Sequence, residues 1–172
     1  MLDSVLLPKE QTCCFSGHRT LPKDKLAHIA KRIDKEIEKL LSQGITVFMV
    51  GGALGFDYLA AVAVSRKREV NNSIKLVFAL PYPGYNAGWA KSERLLYNKI
   101  IPAEADEVIY VSDSYSKDCY KKRNQFMVQK SQYCICALLH SGTGTGQTVR
   151  MAKADGLAII NLLQDSGSND SG

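Results

Sequence analysis

Tryptophan occurs once in the 172 residues, histidine three times and proline five times. The histidines, His18, His28 and His140, contain no i, i+4 pair, and the five cysteines, Cys13, Cys14, Cys119, Cys134 and Cys136, show no C-x-x-C spacing. These absences remove the familiar zinc patterns, so neither a structural nor a catalytic transition metal is expected. A magnesium ion carried by a phosphate group stays compatible, because its oxygen ligands need no fixed spacing. The cysteine count is odd and four of the five lie inside apolar runs. That excludes a disulfide framework and predicts reduced, mostly buried thiols.

Long apolar stretches are missing too. Nothing approaches the roughly 20 residues needed to cross a bilayer, and "MLDSVLLPKEQ" carries no basic segment ahead of an apolar run. The expectation is a cytoplasmic chain with no membrane partner. Charge of one sign does not dominate: 22 Lys and Arg against 17 Asp and Glu leave +5, spread over "KDKLAHIAKR", "SRKREV" and "DCYKKRNQ". A modest positive field suits an anionic ligand, although most such charges solvate helix faces. No continuous aromatic and basic track is visible, which ranks single-stranded nucleic acid behind a small molecule as partner.

What the chain does have is alternation. "TCCFSG", "ITVFMVGG", "IKLVFALP", "EVIYVS", "YCICALLH" and "LAIINLL" read as strands, several of them apolar on both faces as in a parallel sheet. Between the first two, Leu26, Ile29, Ala30, Ile33, Ile37, Leu40 and Leu41 recur at helical spacing and stop at "SQGI", with Gly44 suited to the αL position. Further helices are expected over about 54 to 69, 87 to 100, 118 to 131 and 145 to 155. The pattern predicts an α/β fold, a doubly wound, mostly parallel sheet of about six strands with helices on both faces. Residues 1–163 form one domain in this reading, and the polar stretch 164–172 is expected to be a disordered tail.

Every unusual polar or glycine cluster follows a strand: "SGHRT", "GGALGFD", "PYPGYN", "SDSY" and "HSGTGTGQT". Ligands of open parallel sheets bind at the carboxyl ends of strands, where loops and helix N-termini converge. Gly51, Gly52 and Gly55 permit close backbone approach, and the helix after them offers free N–H groups to an anion, or Asp57 simply completes its first turn. Gly142, Gly144 and Gly146, interleaved with Thr143 and Thr145, repeat that chemistry, against the plainer reading of a threonine N-cap. Arg123 either forks onto a phosphate or carboxylate or lies at the surface beside Asp118 or Glu107. Gly17, His18 and Arg19 follow the first strand, where either side chain can meet a ligand. Tyr82, Tyr85, Trp89 and Tyr115 offer stacking faces for a base, or else pack.

In order, "FSGHR", "GGALGFD", "LPYPGYNAGW", "RNQFMV" and the late glycine loop resemble the YpsA family of the SLOG superfamily, over about residues 11 to 163. The superfamily also holds the Lonely Guy phosphoribohydrolases and the DNA-processing protein of bacterial transformation. The resemblance implies a Rossmann-like fold, bacterial origin, and a pocket for a nucleotide or nucleotide-derived ligand, including ADP-ribose-like molecules. It implies no required cofactor, and a homo-oligomer is compatible with it. The ligand-binding set it points to is Gly17, His18, Arg19, Gly51, Gly52, Gly55, Asp57, Arg123, Asn124, Gly142, Thr143, Gly144, Thr145 and Gly146. In Lonely Guy enzymes the pattern R-K-x-x-M precedes P-G-G-x-G-T-x-x-E. Arg123, Met127, Gly142, Gly144 and Thr145 match it, but Asn124 replaces lysine and Thr148 replaces the glutamate. Neither Gln147 nor Thr148 is a competent acid or base at neutral pH, so no catalytic residue is assigned. Binding or sensing is therefore the first expectation and N-glycosidic hydrolysis, with Asp57 as a substitute acid, the alternative.

Overall fold

The computed structural model describes residues 7–164. All but the first residue of the expected disordered tail lies outside them. Among the described residues, six strands alternate with five α-helices: β1 (Thr12–Gly17), α1 (Leu26–Ser42), β2 (Val47–Val50), α2 (Phe56–Val70), β3 (Lys75–Leu80), α3 (Lys91–Glu104), β4 (Glu107–Tyr110), α4 (Cys119–Gln129), β5 (Tyr133–Ala137), α5 (Gly144–Ala154) and β6 (Ala158–Asn161). All the pairings are parallel, in the order β4-β3-β2-β1-β5-β6. This is an α/β, Rossmann-like sheet. No described helix is long and apolar enough to cross a membrane.

Strand alternation sorts the core into two layers. Cys13, Phe15, Phe48, Val50 and Phe78 point to the side covered by Ile29, Ile33 and Ile37 of α1, Ala60 and Val64 of α2, and Tyr97 of α3. Cys14, Met49, Val77, Cys134 and Cys136 point to the other, under Met127 and Val128 of α4 and Val149 and Ala152 of α5. Because both faces are covered, the strands are apolar throughout, as parallel strands must be. All five cysteines are buried and free. The apolar spacing in α1 places Ile29, Ile33 and Ile37 fully out of water, each contributing about 1.5–3 kcal/mol of burial.

Helix ends follow local chemistry. Gly44 has φ 89°, so Ile45 N–H reaches Leu40 O at 3.0 Å and Gly44 N–H reaches Leu41 O at 3.1 Å, with Ile45 packing into the core. Those two bonds are the Schellman pattern that satisfies the last carbonyls of α1. Helix α3 starts at Lys91, later than the periodicity predicts. The preceding "PYPGYNAGW" folds instead into successive turns, Tyr85 N–H to Tyr82 O, Ala87 N–H to Gly84 O and Trp89 N–H to Asn86 O. The helix begins only where the Glu93 carboxylate accepts Ala90 N–H at 3.2 Å.

The chain builds β2, β3 and β4 successively to one side of β1, then crosses back and lays β5 on its other side. The loops after β1 and β5 therefore lead away from each other, which leaves a crevice at the switch point. Its floor depends on a contact between β1 and α2: a Cβ on Gly17 would lie 2.2 Å from Cγ of Phe56. Gly17→Ala should therefore cost about 1–3 kcal/mol by overpacking, read as a lower midpoint in urea denaturation. Adding Phe56→Leu to that variant should recover part of the loss, so that the two changes are non-additive by about 0.5 kcal/mol or more.

Candidate functional site

Five strand ends contribute to one cavity of about 300 Å³ over the β1–β5 switch point. That is the lower end of the size usual for small-molecule sites. Ser16, Gly17, His18 and Arg19 come from the end of β1, while Gly51, Ala53 and Asp57 come from the β2–α2 turn. Tyr85 and Trp89 come from the β3–α3 loop, and Tyr120, Arg123, Asn124 and Met127 from α4. Thr143, Gly144, Thr145 and Thr148 close it from the start of α5. Phe15 supplies apolar floor.

Arg123 is 7% exposed, which rules out a surface arginine held by Asp118 or Glu107. Asp118 instead pairs with Lys122 at 3.4 Å. The guanidinium already has protein partners: Nη1 donates to Gly51 O, and Nε donates to Asn124 Oδ1 at 2.8 Å. Its Cζ also stands 5.8 Å from the Tyr120 ring centroid. Asn124 thus accepts from Arg123 through its side-chain carbonyl and lines the cavity beside it.

Asp57 is equally buried, and its Oδ2 accepts Ala53 N–H at 3.1 Å. The aspartate accordingly folds back over the β2–α2 turn. A Cβ on Gly51 would come within 2.9 Å of Arg123 Nη1 and 3.0 Å of Asp57 Oδ2. Only a residue without a side chain lets both charged groups close on that backbone. Burial pushes the Asp57 carboxyl up to about 6, against the opposing pull of Arg123, the Ala53 and Gly51 amides and Arg19. The cavity floor thus holds a permanent cation beside a carboxyl that changes charge near neutrality.

His18 is held below its ordinary pKa, first by burial and then by His140. Its ring centroid lies 5.9 Å from that of His140, and its Nε2 accepts Leu139 N–H at 2.9 Å. This bond requires a neutral ring with the proton on Nδ1. His18 consequently ties the β1 and β5 loops together and presents a single N–H donor. Thr143 caps α5, its Oγ1 accepting Gly146 N–H at 3.2 Å. The cap and the cavity-lining position belong to the same residue. Thr148, at the position of the missing glutamate, donates its hydroxyl to Gly144 O at 2.9 Å.

Ten of the fourteen residues expected at the site line the cavity: Gly17, His18, Arg19, Gly51, Asp57, Arg123, Asn124, Thr143, Gly144 and Thr145. Four do not. Gly52 turns away with φ 77°, and its carbonyl accepts the Tyr85 hydroxyl at 2.7 Å. Gly55, at φ 73°, is pressed against the Arg19 carbonyl, where a Cβ would approach to 2.2 Å. Gly146 is packed in the same way on Ser141 O, at 2.0 Å, and Gly142 stands exposed outside the cavity wall. Gly52, Gly55 and Gly146 serve chain packing, and Gly17, Gly51 and Gly144 line the cavity.

Among the aromatic candidates, Tyr85 and Trp89 line the cavity, stacked edge to face at 5.6 Å, with Arg19 5.6 Å from the Trp89 centroid. Tyr82 and Tyr115 stand outside it. Tyr120 lines the cavity and was missing from the sequence reading. Its signal was available: it precedes Arg123 by three residues, the spacing that puts two side chains on one helix face.

Comparisons with known proteins bear on the family and the fold. Proteins similar to the chain include a UPF0398 protein of Halalkalibacterium halodurans, 29% identical over 112 residues, covering 62% of this chain and 57% of that protein. The SPbeta prophage-derived protein YoqJ of Bacillus subtilis is 26% identical over 118 residues, covering 62% and 68%. A UPF0398 protein of Streptococcus agalactiae is 30% identical over 110 residues, covering 63% and 62%. The chain thus spans little more than half the length of the first of these relatives. The fold is shared with DNA processing protein A of Streptococcus pneumoniae, at TM-score 0.61 and 18% identity over 89% of this chain and 50% of that one. It is shared also with the Helicobacter pylori DNA processing protein A, which binds single-stranded DNA, at TM-score 0.60 and 16% identity over 91% and 67%. The YpsA model, described as the YspA SLOG family, matches residues 17–154, from the last residue of β1 to the last of α5, and the chain belongs to that family.

Proposed function

We propose that the cavity binds a nucleotide or nucleotide-derived ligand of the ADP-ribose-like class, and that binding or sensing is its task. One observation carries this reading: a buried arginine, a helix N-terminus and an aromatic wall face the same 300 Å³ space. Phosphate oxygens suit the Arg123 guanidinium and the N–H groups opening α5, since both offer positive charge and hydrogen bonds in fixed directions. Tyr85, Trp89 and Tyr120 suit the flat face of a base. The His18 Nδ1–H and the Asn124 amide suit ribose or base acceptors.

A second reading, N-glycosidic hydrolysis, draws on Asp57. Its carboxyl, raised by burial to about 6, can hold and release a proton near neutral pH. Binding without turnover remains first, because Thr148 is occupied with a backbone carbonyl where the related hydrolases place a glutamate.

A thermal-shift screen of nucleoside monophosphates, diphosphates and ADP-ribose should give one clear stabiliser, since a ligand of the native state raises its melting point by mass action. By calorimetry with that ligand, Arg123→Lys should bind at least tenfold more weakly, because an ammonium keeps the charge and loses the planar fork. Arg123→Ala should lose roughly 2–5 kcal/mol of binding. It should also lose stability, since it strands a buried carboxylate. Unchanged affinity in both variants would remove Arg123 from the site.

Asp57 gives a pH signature. Its folded value of about 6 lies above the ordinary 3.8, so its contribution to stability is fully present below pH 4 and is lost as pH rises through 6. That displacement corresponds to roughly 3 kcal/mol. Asp57→Asn cannot ionise and should therefore gain stability relative to the wild type between pH 4 and pH 7, measured by denaturant unfolding at each pH. An anionic ligand should bind the wild type more tightly at pH 5.5 than at pH 7.5, and the dependence should flatten in Asp57→Asn. Release of free base that disappears in Asp57→Asn would instead favour the hydrolase.

A further inference from the structure

Three tyrosines far apart in sequence meet at the cavity mouth. Tyr82 follows β3, Tyr115 follows β4, and Tyr120 opens α4. Tyr82 is the half-buried hub: the Tyr115 ring meets it at 5.9 Å and 73°, and the Tyr120 ring at 6.4 Å and 83°. The two outer rings therefore stand on edge against the hub. Tyr115 is 68% exposed and Tyr120 43%, a large aromatic area to leave in water unless a planar group covers it. Tyr120 also lines the cavity, where Arg123 lies beside it, so the platform continues the site outward.

Charge picks the occupant. The segment from Tyr115 to Asn124 carries Lys117, Lys121, Lys122 and Arg123 against the single acid Asp118, and its three lysines are exposed. The groove past Trp89 carries Glu93 together with Arg19, and Tyr120 lines it as well. A polyanion leaving the cavity meets exposed lysines beside the tyrosines. Flat faces beside exposed lysines, outside a pocket for one nucleotide, are the recipe for holding a single strand without reading its sequence. From these placements we infer that the cavity receives one nucleotide unit of a single-stranded nucleic acid and that Tyr120 and Tyr115 stack its next two bases.

The inference rests on the nucleotide reading of the cavity, and one titration series separates the two. Fluorescence anisotropy with labelled thymidine oligomers, competed by unlabelled mono-, di- and trinucleotides, should show affinity rising at each step to three units and then changing little. Tyr115→Ala should weaken trinucleotide binding about tenfold, as loss of one stacked base does. Tyr115→Phe, which keeps the ring, should bind like the wild type. Tyr115 lies outside the cavity, so mononucleotide affinity should stay unchanged in both variants. Binding of oligomers should fall with salt, less steeply in Lys121→Gln. If a mononucleotide binds and longer strands bind no better, the platform is refuted while the cavity reading stands. Trinucleotide affinity that survives Tyr115→Ala combined with Tyr120→Ala refutes it as well. Absence of any nucleotide binding defeats both.

Discussion

The site is organised around the backbone of one residue, Gly51. A guanidinium from α4 and a carboxylate from α2 both close on it, and each is almost wholly removed from water. Two such groups in a low-dielectric interior are costly unless every remaining donor and acceptor finds a partner. Arg123 finds the Gly51 carbonyl and Asn124, and Asp57 finds the Ala53 amide. The β2–α2 turn and α4 are therefore held in one geometry by polar contacts in addition to apolar packing.

Much of the fold was legible because parallel sheets announce themselves. Strands covered on both faces must be apolar at successive positions, as "VFMV" and "KLVFAL" are, and helices must supply the covering stripes, as Ile29, Ile33 and Ile37 do. The site was legible only in outline. Strand-end position identified the loops, since it follows from topology alone, but not which glycine in a loop lines the cavity. Gly52, Gly55, Gly142 and Gly146 share composition with Gly51 and Gly144 and differ in tertiary surroundings. A carbonyl of Arg19 pressed on Gly55 cannot be seen in a string of letters.

Two further features were hidden for related reasons. Arg123 is buried against a glycine 72 residues away in the chain, and the Asp57 carboxyl is raised by its burial in the folded interior, opposed by that same arginine. The tyrosine cluster unites positions 82, 115 and 120 through the pairing of β3 with β4, which brings the loops after those strands side by side. A scan along the chain finds neither a continuous aromatic track nor a basic one. The pairing of β3 with β4 brings the aromatic rings together, whereas Lys117, Lys121 and Lys122 are neighbours in the chain.

The aromatic wall is attached to the rest of the cavity differently from the charged floor. Tyr85 and Trp89 ride on a loop made of consecutive turns, anchored to the β2 turn by the Tyr85 hydroxyl on Gly52 O. The floor belongs to helices embedded in the core. Insertions, deletions or exchanges in the 81–90 segment can thus recast the wall of the pocket while leaving its charged floor in place. A lineage carrying this scaffold has one interchangeable part and one fixed part, and descent with new specificities would be written chiefly in that short loop.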